Sequence, residues 1–241
     1  MTAASMPASS NPGDTTPQEE LRSFRSLLII ACVFAVAGGY LDAYSYLAHG
    51  HVFANAQTGN VVFFSVYASA GQWAQAVRYL PPIAAFALGV STAQLLGVRP
   101  EKRTFRATLL CEIFELAILT ALTFVGSYIS DRWIVPIISF VAAIQNTSFG
   151  KVGPWSFNSA MTTGNIRDAA SGFVLWIAGR DPAKNRGRAI ALGLICTSFL
   201  IGGFSGASYT RLNRTHALGP CAALVAIGVL FTWRERRTRI H

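Results

Sequence analysis

The sequence predicts an all-α integral membrane protein made of two inverted repeats of three spans. Each repeat carries a short discontinuous half-helix, giving six full spans plus two broken elements. Three observations lead there. Hydrophobic residues make up 52% of the chain and charged residues 13%, about half the charged share of a soluble domain. The apolar residues fall in runs of membrane-spanning length, separated by short basic stretches. A Thr-Gly-Asn triplet also occurs twice, in matching surroundings.

Residues 1–25 read as a disordered cytoplasmic tail, because 1–20 are rich in Ser, Thr, Pro and Ala and show no periodicity. A cleaved signal peptide is disfavoured. The polar lead is longer than an ordinary n-region, and the apolar run continues past the small residues Ala37-Gly38-Gly39. The first membrane repeat covers 26–129 and the second 130–233, and 234–241 form a basic cytoplasmic tail. Within the repeats, the runs 27–47, 80–98, 107–128, 133–149, 189–209 and 217–233 are each long enough to cross a ~30 Å hydrocarbon core as a helix. Two further runs, 61–70 and 169–178, are too short to span.

Charge placement sets the expected topology. If the two short segments enter and return on one side, the termini, the 99–106 loop and the 151–188 region all become cytoplasmic. Only Arg78, Arg132, Arg211 and Arg214 of the 20 Lys and Arg then lie outside, in keeping with the positive-inside rule. Eight crossings would put the basic 99–106 loop outside. The expected location is therefore a bacterial inner membrane, multi-pass, with both termini cytoplasmic. The net charge of +9 belongs to loops that flank apolar runs and argues against nucleic acid.

The triplets are Thr58-Gly59-Asn60 and Thr163-Gly164-Asn165, 105 residues apart. Each follows a helix bearing polar residues, then an extended stretch, and precedes a short apolar helix, a polar break and a full span. Three crossings between the copies would invert one relative to the other, a construction familiar in secondary transporters. Non-helical backbone at membrane depth must be buried in protein or line a wet cavity. Thr suits a helix N-cap, Gly allows close backbone approach, and Asn both donates and accepts hydrogen bonds. A half-helix beginning there presents free N–H groups to an anion or a carboxylate-bearing solute. The same residues could equally serve only to cap the breaks and lock the halves together.

The stretch Gly38-Gly39-Tyr40-Leu41-Asp42-Ala43, then Val52-Phe53-Ala54-Asn55 through Thr58-Gly59-Asn60, and later Gln145-Asn146 with Thr163-Gly164-Asn165, resembles the YoaK-type family of bacterial membrane proteins. The resemblance runs over about residues 25–233. It implies an inner-membrane helical protein and implies no substrate. The pair Ala56-Gln57 departs from the Asn-Met type of pair more often found before the triplet in that family.

The candidate substrate-binding residues are Asp42, Asn55, Thr58, Gly59, Asn60, Gln145, Asn146, Thr163, Gly164 and Asn165. Glu112 and Glu115, one helical turn apart on one face, form a candidate pair for proton or cation coupling. A structural pairing with Arg167 is the plainer alternative. Ionisable residues inside the membrane are costly and face cavities or partners. Cys32, Cys111, Cys196 and Cys221 lie in apolar runs without metal-type spacing, and the His residues form no metal signature. No cofactor is expected. A membrane enzyme is disfavoured, because no Ser/His/Asp or HExxH arrangement is present. The expected function is a small-solute secondary transporter or permease, with a non-transporting scaffold or sensor as the alternative. The expected partners are the lipid bilayer, a small solute of possible anionic character, and a second copy of the chain in a homodimer.

Overall fold

The computed structural model describes residues 17–96, 105–148, 150–152, 154–157 and 162–238. Helix α1 runs Pro17–Ala48, α2 Gln57–Ser69, α3 Trp73–Ala76 and, after a 3-10 turn, α4 Leu80–Leu95. Helix α5 runs Phe105–Val125 and α6 Asp131–Ser148. A two-stranded hairpin, β1 Lys151–Val152 with β2 Trp155–Ser156, leads to α7 Thr162–Ile177, α8 Pro182–Leu212 and α9 Leu218–Thr238. Among the described residues, four stretches are long and apolar enough to cross a membrane: Leu21–Ala48, Arg106–Val125, Pro182–Leu212 and Leu218–Arg237. Helices α4 and α6 have 16 and 18 residues, ~24 and ~27 Å of axis.

The helices reach further than the apolar runs alone indicate. Residues 17–25, expected as disordered tail, already belong to α1, since Pro17 suits a first helical turn and no Gly or Pro interrupts 18–37. Residues 1–16 and the 97–104 part of the basic loop lie outside the described residues. Helix α8 starts at Pro182 rather than near 189, and α9 carries the basic residues Arg234, Arg236 and Arg237 within its last turns. Cations there suit the negative end of the helix dipole. The hairpin was not expected. It pairs Lys151 with Ser156 and Val152 with Trp155.

Helices α1 and α6 sit at the centre. Helix α1 packs against α8 and α9, α6 against α4 and α5, and α5 against α9. The short α2 leans on α4, and α7 on α8. The α1–α8 crossing is close because glycine removes side chains where backbones meet. A Cβ on Gly202 would collide with the Val36 carbonyl, one on Gly39 with the Phe199 carbonyl, and one on Gly206 would come within 2.7 Å of the Tyr40 carbonyl. Lipid offers no hydrophobic drive between helices, so such small-residue contacts carry the association. The α4–α6 crossing uses the same device, with Gly89 against the Phe140 carbonyl and Ala143. Away from the glycines, the core is filled by Ile30, Phe34, Tyr40, Leu41, Leu119, Ile138 and Ile195.

Candidate functional site

Between α1 and α2 the chain turns back into the bundle. Gly50 and His51 take positive φ, and Val52 through Ala56 then run without helical structure to the start of α2. This stretch lies deep: Asn55 donates from Nδ2 to the Gly38 carbonyl at 3.3 Å, ten residues, or ~15 Å, below the end of α1. Its backbone groups need partners that lipid cannot supply, and neighbouring side chains supply them. The Asp42 carboxylate accepts from Asn55 N at 2.7 Å and Ala56 N at 3.4 Å. Ser45 Oγ accepts from Ala54 N at 3.0 Å, and Ser139 Oγ of α6 donates to the Ala54 carbonyl at 2.7 Å.

The triplet completes this arrangement. Asn60 Oδ1 accepts from Phe53 N at 2.9 Å, while Nδ2 donates to the Phe53 carbonyl and to Gln57 Oε1, both at 2.8 Å. The amide of Asn60 therefore pairs with Phe53 as a neighbouring strand would. Gly59 lies over the Phe53 ring, where a Cβ would come within 2.8 Å. Thr58 does not cap the helix. The N-cap position is Ala56, with no side-chain cap bond, and Thr58 is exposed.

Both triplets occupy the second to fourth residues of a short helix, in α2 and in α7. In each, Asn is buried, Asn60 in one and Asn165 in the other, while Thr163 and Gly164 are exposed like Thr58. Residues 158–161, which precede the second triplet, lie outside the described residues. Helix α7 is held to α8 by Arg188, which meets Asp168 at 3.1 Å. Arg167 also pairs with Asp168, at 3.3 Å, and not with the α5 glutamates.

Where the extended stretch meets α1, α5 and α6, a small cavity is lined by Phe34, Gly38, Asn55, Glu115, Gln145 and Asn146, with Ala37, Leu41 and Ala142. Its volume is about 10 Å³, at the lower limit for holding one water. Asn55, Glu115 and Gln145 are almost fully buried. Asn55 Oδ1, Glu115 Oε2 and Gln145 Nε2 have no hydrogen-bond partner among the described residues. The two glutamates thus face different surroundings: Glu115 lines the cavity, whereas Glu112 accepts a hydrogen bond from Thr232 of α9 at 3.0 Å. Of the sequence-derived candidates, Asn55, Gln145, Asn146 and Glu115 converge on the cavity. Asp42 and Asn60 hold the backbone beside it, and Thr58, Thr163 and Gly164 stand apart from it.

A larger opening, about 270 Å³, lies at one end of the bundle between His49, Val52, Arg78, Pro81, Pro82, Asp131, Arg132, Val135 and Pro136. His49 Nδ1 donates to Asp131 at 3.0 Å, and Nε2 accepts from the Tyr44 hydroxyl at 2.8 Å. These bonds suit the neutral imidazole. Burial pushes its pKa down from 6.5, opposed by the charge and hydrogen bond of Asp131. Arg214 donates to the Ala48 carbonyl at the same end. At the other end, Phe24 meets Trp155 edge-on with ring centroids 5.7 Å apart, and Trp155 covers Gly187.

Sequence reasoning missed Ser45, Ser139, Thr232 and the Tyr44–His49–Asp131 chain. Ser139 was within reach, because it shares a helical face with Ala142, Gln145 and Asn146. The pairing of His49 with Asp131, 82 positions apart, leaves no local signal.

The model of the family described as "Protein of unknown function (DUF1275)" matches residues 30–231. The chain belongs to that family. UPF0700 transmembrane protein YoaK of Bacillus subtilis (strain 168) is 26% identical over 145 residues, 58% of this chain. The match spans 63% of that relative's length. No solved structure matches. A transmembrane relative and four helices of spanning length and composition together make this a multi-pass integral membrane protein.

Proposed function

We propose that the chain is a small-solute secondary transporter or permease of the bacterial inner membrane, with both termini cytoplasmic. Two inverted repeats of three spans would enclose the site, each contributing one discontinuous helix. The observation that carries this reading is the buried cavity beside the first helix break, where Asn55, Gln145 and Glu115 keep polar atoms unpaired among the described residues. Leaving such groups unpaired costs about 1–3 kcal/mol each, so a purely structural core would favour apolar residues there.

The packing supports the repeat. Exchanging α1 with α6, α4 with α8, and α5 with α9 turns the α1–α8 contact into α6–α4 and the α1–α9 contact into α6–α5, and leaves α5–α9 unchanged. Six spans are supported by the position of Arg78 against Gly50, since α2 must then return to the end it came from. Arg78, Arg132 and Arg214 gather at that end, as an outside face poor in cations requires. The opening there would admit solute to the cavity, and the glutamates would couple its movement to a proton or cation. A small anion remains the solute class suited to the half-helix starts, and homodimer formation belongs to the same proposal.

One observation favours a scaffold instead: Asp42 and Asn60 spend their polar groups on backbone. Transport in proteoliposomes separates the two. Vesicles holding a trapped pH dye are offered single small carboxylates under an imposed potential. A transporter gives saturable uptake of at least one, lost in Asn55→Ala and kept in Ser65→Ala. Responses equal to those of protein-free vesicles throughout the series would favour the scaffold.

A further inference from the structure

The atoms around the central cavity specify what it holds. Glu115 Oε2 and Asn55 Oδ1 are acceptors and Gln145 Nε2 is a donor, all three unpartnered among the described residues and all on side chains lining one cavity. A dehydrated metal cation needs an almost complete shell of oxygens, and an amide N–H in the wall opposes it. Among the described residues no group of three His, Cys, Asp or Glu could hold a metal ion. One water would satisfy the set, accepting from Gln145 and donating to Asn55 and to Glu115, the three bonds usual for a buried water. The volume of about 10 Å³ stands at the lower limit for holding one.

A carboxylate in this position, almost fully buried and without a cationic partner among the described residues, is costly in its charged form. A proton removes that cost. We propose that the cavity is a proton site, in which one water bridges Asn55, Gln145 and Glu115 and delivers the proton that Glu115 binds and releases. In uptake, a proton from the side to which the cavity opens passes to the held water as that water gives one to Glu115 Oε2; release is the reverse. Only O–H bonds form and break, and nothing is oxidised or reduced. Asn55 and Gln145 are positioning residues in this scheme. As the coupling step, it rests on the transporter reading.

The titratable groups around Glu115 have other duties or little charge. Glu112, one turn earlier, accepts from Thr232, and Cys111 lies on the same helix. From α9 comes the Cys221 thiol, within electrostatic reach of Glu115. From α1 comes Asp42, engaged by the Asn55 and Ala56 amides. Helix α6 contributes Ala142 and the neutral amides Gln145 and Asn146 to the lining, none of them titratable.

Infrared difference spectroscopy tests this on the full chain in lipid nanodiscs, between acid and alkaline buffer. The expected result is a protonated-carboxyl carbonyl band lost in Glu115→Gln and kept in Glu112→Gln. A bound-water O–H band should shift in heavy-oxygen water and vanish in Asn55→Val. The heavy-oxygen shift needs no variant, so misfolding of a mutant cannot decide the outcome. A carboxyl band that survives Glu115→Gln, the absence of a water band in the wild type, or loss of the carboxyl band on adding sodium at fixed pH would overturn the proposal. Intact bands in a protein that moves no solute would overturn the transporter reading and leave the proton site standing.

Discussion

Replacing Asn60 should unseat the chain between α1 and α2, and Asp at that position should serve no better than Ala. The Asn60 side chain is fully buried and makes three hydrogen bonds, two of them to the backbone of Phe53. Asn60→Ala takes this partner from the part-buried Phe53 N–H and C=O. At about 1–3 kcal/mol for each orphaned group, moderated by the average of about 0.6 kcal/mol for hydrogen bonds inside membranes, the loss is about 2–4 kcal/mol. Asn60→Asp keeps an acceptor for Phe53 N but turns a carboxylate oxygen toward the Phe53 carbonyl and Gln57 Oε1. It should cost at least as much. Thr58→Ala, at an exposed position in the same triplet, should stay within about 0.5 kcal/mol. Thermal unfolding in detergent, followed by tryptophan fluorescence, reads all three. A wild-type midpoint for Asn60→Asp would refute the claim that the amide works by pairing with backbone.

Gly202→Ala and Gly206→Ala should each cost about 1–3 kcal/mol by overpacking the α1–α8 contact. Gly193→Ala in the same helix, with nothing near its added methyl, should be neutral or stabilising by up to about 1 kcal/mol; unfolding midpoints compare them. His49 has its pKa lowered below 6.5 by burial, so the unfolded chain takes up its proton first on acidification. Stability from the neutral imidazole is therefore complete above pH 6.5 and declines as pH falls below it. His49→Gln should flatten the decline, and an unchanged slope in unfolding midpoint against pH would count against this account.

The two short helices are legible in the sequence because Thr-Gly-Asn marks the same turn of each. The sequence does not tell which member of the triplet matters. Asn60 acts through Phe53, seven residues back across a turn, whereas Thr58, by composition the better cap, points away. The membrane character of α1, α5, α8 and α9 follows from apolar content. Helix α6 is less evident as a membrane helix, because Ser139, Gln145 and Asn146 dilute its hydropathy while lining or bracing the centre. The division of labour between Glu112 and Glu115 depends on Thr232, 120 positions away, and no local spacing encodes it. The hairpin is not legible in the sequence, because its strands have only two residues each and Trp155 meets Phe24 and Gly187, both distant in the chain.

Cysteine accessibility distinguishes repeats inverted around the cavity from parallel ones. In a background lacking the four native cysteines, single cysteines replace Gln72, on the turn after α2, and Lys184, at the start of α8; both positions are exposed. An impermeant thiol reagent is added to intact cells and again after permeabilisation. Inverted repeats predict labelling at 72 in intact cells and at 184 only after permeabilisation. Protection of both positions in intact cells would make the repeats parallel and contradict the account.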